Sequence, residues 1–220
     1  MSDDPETARQ IAELALDTRP LLVLDVDDVV LEFLPPFMRF LNAEGLELRL
    51  QSFQLNGNIR SLSDGTAVET ERVSALITDF FVRQALWQTP APGAASSVAQ
   101  LSRDAEIVML TAMPHRHRAI RRKHLDSLGF PYPLVTTERA KGPALRQLRG
   151  SSNRPVAFVD DIPHNLVSVQ TAVPDASLFH LMLMPGLREI LPPLPDAIAP
   201  VDSWADAAPK IAVSLGLQDR

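Results

Sequence analysis

The sequence contains no cysteine, which removes disulfides, thiolate metal sites and cysteine nucleophiles together. It has no apolar run approaching the roughly 18 residues of a membrane span, so no membrane partner is expected. Positive charge is also short: 21 Lys and Arg stand against 27 Asp and Glu, for a formal net charge of -6. That balance argues against a protein built to bind large nucleic acids or membrane surfaces. Internal repeats and low-complexity tracts are absent. The first residues, MSDDPETARQ, are acidic and polar, unlike a signal or transit peptide, and the expected location is the cytoplasm. What is present is ordinary globular material. With 45% hydrophobic and 22% charged residues over 220 positions, the chain can build one domain, or one domain carrying an insertion.

Five short runs rich in Val, Leu, Ile or Phe read as buried strands: Leu21 to Asp25, Ile107 to Thr111, Leu134 to Thr137, Val156 to Asp160 and Leu178 to Leu183. Helix-like stretches alternate with them, the pattern of a doubly wound, Rossmann-like α/β fold with a parallel sheet of about five strands. The clearest helix is Pro114 to Leu128, opened by proline and closed by Gly129. Arg139 to Leu148 and Ile162 to Ala172 follow as crossover helices. A last amphipathic helix is expected from about Ser203 to Leu215, interrupted near Pro209.

About 80 residues separate the first strand from the second, far more than one crossover needs. Within that gap PPFMRFLNAEG reads as a helix closed by Gly45, and Ala67 to Leu86 as another, with Val73, Leu76, Ile77, Phe80 and Phe81 on one face. Gln51 to Gly65 carries no clear pattern and reads as loop. TPAPG, from Thr89 to Gly93, marks the return. The expectation is a catalytic core of residues 1–32 and 90–220 with a small helical cap, residues 33–89, inserted after strand 1.

Polar residues cluster where the strands end. Asp25, Asp27 and Asp28 follow the first strand, Thr111 closes the second, Lys141 opens the helix after the third, and Asp160 and Asp161 close the fourth. In doubly wound sheets ligands bind outside the carboxyl ends of the strands, at the switch in strand order. Converging carboxylates repel unless a cation neutralises them, and all-oxygen donors select a hard ion such as Mg²⁺. A carboxylate can attack a phosphoryl group, and a second one two residues on can move the proton. Lysine is scarce, only Lys123, Lys141 and Lys210 against eighteen arginines, so an ammonium placed after a strand reads as selected.

At these residues the chain resembles the haloacid dehalogenase superfamily of phosphohydrolases, over roughly Leu21 to Leu183. LLVLDVDDVV is similar to that family's first motif, IVMLTAMP to its second, KGPAL to its third and VAFVDDIPHN to its acidic fourth. The resemblance implies Asp25 as nucleophile and Asp27 as acid/base. It implies Thr111, Ala112 and Lys141 around the phosphate, and Asp25, Asp27 (through its main-chain carbonyl), Asp160 and Asp161 around Mg²⁺. The implied activity is a Mg²⁺-dependent phosphomonoesterase using an aspartyl-phosphate, and the insertion after the first motif matches the helical-cap class. The implied substrate is a small phosphorylated metabolite, a nucleotide or sugar phosphate, handled by a monomer or homodimer. The small insertion and TAMPHRHRAIRRKHLDSLG look most like the deoxyribonucleotidase branch.

Asp28 and Val29 depart from the family's usual Gly and Thr. Other readings share part of the signal: phosphonate cleavage or phosphoryl transfer on the same fold, or a catalytically weak binding or regulatory protein. A receiver-type signalling module fails on order, since Lys141 precedes the second acidic pair. Dehalogenation fits less well with Asp27 and Asp160 present. Within HRHRAIRRKH, Arg118, Arg121, Arg122 and Lys123 read as a solvated face, while His115 and Arg116, nearest Thr111, read equally as substrate contacts. His117 and His124 have no acid spacing that would make them a metal site. Phe33, Phe37 and Phe40 read as helix core, with a minor substrate role for Phe33.

Overall fold

The computed structural model describes residues 4–15, 17–52, 54–191 and 193–217. The chain opens with α1 (Pro5–Ala12), capped by Asp4 accepting from the Thr7 amide at 3.2 Å, and then enters β1 (Leu21–Leu24). The inserted segment holds α2 (Leu34–Ala43), β2 (Leu46–Leu48), β3 (Ile59–Ser61) and α3 (Thr70–Val82). After it come α4 (Ala94–Leu101), β4 (Glu106–Thr111), α5 (Arg118–Ser127), β5 (Leu134–Thr136), α6 (Lys141–Arg149), β6 (Val156–Asp160), α7 (Pro163–Ala172), β7 (Ser177–Leu181), β8 (Ile198–Val201) and α8 (Trp204–Ser214).

The main sheet is wholly parallel, in the order β5-β4-β1-β6-β7-β8. Strand β1 is fully buried at all four residues because both faces are covered. Leu22 and Leu24 enter one apolar cluster, with Met109, Val159 and Trp204, while Leu21 and Val23 enter the other, with Val108, Phe158 and Leu166. This period-2 division is what turns a continuous apolar run into a central parallel strand. Strand order reverses about β1, so the carboxyl ends of β4, β1 and β6 border one crevice.

Three expectations change. The sheet has six strands rather than about five, because β8 was hidden by Pro200; an edge strand tolerates a residue that cannot donate to the ladder. The insertion is not purely helical: β2 and β3 pair antiparallel, Leu46 with Ser61 and Leu48 with Ile59, and their partners lie too far apart in sequence for a short-window pattern to find. Finally, α8 runs through Pro209 without a break, held by the burial of Trp204, Ala207 and Ile211 on the core. A third apolar cluster joins the insertion to Met113, Met182 and Leu187 of the main body; in it Phe37, Phe40 and Phe80 are fully buried, with ring centroids 5.2–5.9 Å apart.

Helices α6 and α7 pack at Gly142, where a Cβ would stand 2.2 Å from the Ser168 carbonyl oxygen. Its amide donates to Ser168 Oγ at 3.0 Å, so the backbones meet directly. Gly142→Ala is expected to destabilise the fold by at least the ~1–3 kcal/mol of an overpacked core, since backbone rather than a side chain must yield. A melting temperature lowered by several degrees checks it; an unchanged one removes the close-packing argument.

Candidate active site

The local fold explains why the polar residues converge. Asp25 directly follows β1, its amide bonded to Val159 O at 2.9 Å, so β6 fixes the start of the loop after β1. Thr111 and Asp160 are the last residues of β4 and β6, and Lys141 is the first of α6. Lys141 Nζ donates to Asp25 Oδ1 at 2.5 Å and to Asp160 Oδ2 at 2.7 Å, with all three side chains buried. Asp160 is oriented further by the Ile162 amide at 2.8 Å and Asn165 Nδ2 at 3.0 Å, both donating to Oδ1. Thr111 Oγ1 accepts from the Met113 amide at 3.3 Å, and Thr111 and Ala112 line the same cavity as Asp25, Lys141 and Asp161.

Oxygens of Asp25, Asp160 and Asp161 lie within 4.8 Å of one another, the one cluster of metal-ligating type among the described residues. The charge balance supports a cation there. Among the described residues, the five carboxylates Asp25, Asp27, Asp28, Asp160 and Asp161 have salt bridges only to Lys141 and Arg121. Burial pushes the Asp25 carboxyl up to about 7, against the pull of Lys141 and reinforced by Asp160 and Asp27. Burial, then the neighbouring Asp160, Asp25 and Asp28 carboxylates, also drives Asp161 well upward. Burial opposes the charge of Lys141, but Asp160 and Asp25 outweigh it and hold the ammonium above its ordinary value. The donor set is hard and all-oxygen, and it fits Mg²⁺.

A raised carboxylate has a definite sign for stability. Between its ordinary 3.8 and about 7 the folded Asp25 keeps a proton that the unfolded chain releases. Its contribution is therefore complete below pH 3.8 and lost as pH rises through about 7. In EDTA the protein should melt at lower temperature at pH 8 than at pH 5.5, and Mg²⁺ should restore more at pH 8, where the ligands are ionised. Melting curves at both pH values, with and without Mg²⁺, decide this. A metal effect no larger at pH 8 than at pH 5.5 would sink it.

Asp28 has a structural task. It sits at φ 54, the left-handed region that Asp tolerates and where the similar family usually has Gly. Its Oδ1 accepts from the Phe33 and Leu34 amides at 2.8 and 3.2 Å, seating the start of α2 against the site. Burial raises its carboxyl to about 6 despite those donors. Val29 is buried in the core, and its carbonyl accepts from Trp204 Nε1 at 2.7 Å. Neither departure displaces a residue of the carboxylate–lysine group.

Asp27 lines the cavity but stands apart from the three-carboxylate cluster. Arg121 Nη1 and Nη2 both donate to Asp27 Oδ1 at 3.0 Å, Nη2 reaches Oδ2 at 3.2 Å, and Gln88 Nε2 donates to Oδ1 at 2.8 Å. The solvated-face reading of Arg121 is therefore wrong: its side chain is wholly buried. Helix α5 buries Arg121 and Leu125 four residues apart, so periodicity placed Arg121 inward while its charge argued outward. His115 and Arg116 turn elsewhere, His115 to Thr136 and Asp4 and Arg116 to Thr78. His180 was also missed. Its Nε2 donates to the Asp161 carbonyl at 2.8 Å, so Arg188 faces an unprotonated Nδ1 at 3.2 Å, and the pair props the Asp161 peptide from behind.

No family model and no curated protein sequence matches the chain. Solved structures do. A haloacid dehalogenase-like protein from Agrobacterium tumefaciens superposes with a TM-score of 0.59 at 11% identity, covering 89% of this chain and 98% of that one. A protein described as a predicted phosphoglycolate phosphatase from Haemophilus somnus gives 0.56 at 14%, covering 90% and 100%. A haloacid dehalogenase family hydrolase from Deinococcus radiodurans, with phosphate and sodium bound, gives 0.53 at 14%, covering 91% and 98%. The chain has the fold of the haloacid dehalogenase-like hydrolases.

Proposed function

We propose that the protein is a Mg²⁺-dependent phosphomonoesterase that passes through an aspartyl-phosphate on Asp25. The observation that carries this reading is Lys141 held between Asp25 and Asp160, beside Thr111 and with Asp161 adjoining, at the switch of a parallel sheet. A buried carboxylate next to a buried ammonium is a nucleophile with a counter-charge already in place.

In the first step an Asp25 oxygen forms a bond to phosphorus while the bond to the leaving oxygen breaks, and Asp27 gives that oxygen its proton. In the second, Asp27 takes a proton from water as the water oxygen attacks phosphorus and Asp25 departs. Thr111, Ala112 and Lys141 hold the phosphoryl oxygens. Asp25, Asp160, Asp161 and the Asp27 main-chain carbonyl would hold Mg²⁺, which when bound offsets the charge of those oxygens. Residues 33–89 form a cap over the opening, tied to the site at one end by Asp28 and at the other by Gln88. Closing it excludes water.

The test is a phosphatase screen of purified protein against a panel of phosphorylated metabolites, with Mg²⁺ and with EDTA. Phosphate release that needs Mg²⁺ is expected. Full turnover after verified metal removal removes the metal from the reading, and no release from any ester removes the reading itself.

A further inference from the structure

Two adjoining cavities of about 210 and 190 Å³ meet at Asp28, Phe33, Asp161 and Ile162. The first contains the carboxylate–lysine group. The second extends beneath the insertion and is walled by Phe33, Leu34, Leu50 and Leu55, with Gln54 at its side. We infer that this second cavity receives the leaving group of the ester, and that the group is uncharged and apolar, an aryl or alkyl alcohol about one ring in size. The inference rests on the phosphomonoesterase reading and narrows its substrate class.

Charge carries the argument. Among the described residues lining either cavity, Lys141 is the sole cation, and it is already bonded to Asp25 and Asp160. The neighbouring cations face elsewhere: Arg121 lies behind Asp27, Arg116 reaches Thr78, and the His115 ring is bonded to Asp4 and Thr136. A second anionic group on the substrate, a carboxylate or another phosphate, would enter the second cavity beside Asp28 with no cationic side chain among the lining residues to meet it. An apolar group instead meets rings and aliphatic chains. Volume agrees, since a cavity of about 150 Å³ lined by Leu, Ile and Phe accommodates benzene. Gln54 leaves room for one neutral polar substituent.

The experiment compares benzyl phosphate with 2-phosphoglycolate, a neutral aromatic and an anionic alcohol, by kcat/KM in Mg²⁺. Calorimetric binding of benzylphosphonate and phosphonoacetate runs alongside as a readout independent of turnover. Benzyl phosphate should be favoured by at least about tenfold, the scale of one apolar pocket contact, and benzylphosphonate should bind more tightly. Leu55→Lys, a change on a partly exposed loop, should narrow both preferences by supplying the missing cation. Equal or reversed preference, or a Leu55→Lys protein that discriminates as before, overturns the inference while leaving the phosphatase reading intact. If neither these esters nor any member of the metabolite panel is turned over yet benzylphosphonate still binds more tightly, the phosphatase reading fails and the apolar cavity stands.

Discussion

Asp25→Asn is expected to eliminate phosphoenzyme formation and turnover together. A neutral amide is a poor nucleophile, and Asp160, which also meets Lys141, is already engaged by the Ile162 amide and Asn165. Folding should survive, because Asn is isosteric with the protonated acid that burial favours and Lys141 keeps Asp160. Asp27→Asn should behave differently. On the proposed roles it keeps the nucleophile but loses proton transfer, and general acid–base help is typically worth about 10²–10⁴-fold. With an aryl phosphate, whose leaving oxygen needs little protonation, the first step should slow less than the second. Asp27→Asn protein should then accumulate an acid-stable, hydroxylamine-sensitive phosphoenzyme on Asp25. Quenched labelling followed by peptide mass spectrometry on both variants is the measurement. Label on Asp27, on a histidine, or on Asp25→Asn protein would overturn the assignment.

The parts of the molecule legible from sequence are those whose signal is local. Strands β1, β4 and β6 are buried on both faces, so each is a continuous apolar run ended by a polar residue, and those residues fall on one edge. The carboxylates, Thr111 and Lys141 were readable for that reason. The β2–β3 hairpin was not, because three-residue strands separated by ten residues are set by pairing rather than by pattern. Strand β8 was masked by Pro200, acceptable only at a sheet edge. Gln88 and His180 act through partners 61 and 19 residues away, and no spacing announces such contacts. Arg121 is the instructive failure. Helical period sets it on the inward stripe of Leu125 while its charge points to solvent, and the partner that reconciles the two, Asp27, lies 94 residues away.

That residue supports the last prediction. The Arg121 side chain is fully buried while that of Asp27 is 20% exposed, so the two ends of the ion pair are not equivalent. Asp27→Asn strands a buried guanidinium whose Nε already lacks an acceptor, and breaking a buried pair from one side costs about 3–5 kcal/mol. Arg121→Met leaves a carboxylate that water can partly reach and Gln88 still binds, so its cost should be smaller. In the double variant no buried charge is stranded, and Met can fill the apolar space beside Phe81, which the guanidinium now faces at 5.5 Å. The double variant should therefore be more stable than Asp27→Asn alone, with a coupling of about 0.5–3 kcal/mol in a double-mutant cycle. Turnover should not follow stability: the double variant stays as impaired as Asp27→Asn, while Arg121→Met, with the proposed proton carrier present but unheld, loses less. Urea unfolding and turnover measured on the same four proteins separate the two effects. Additive unfolding energies would mean that the pair does not hold α5 to the loop after β1, and recovery of turnover in the double variant would remove Asp27 from the proposed proton transfer.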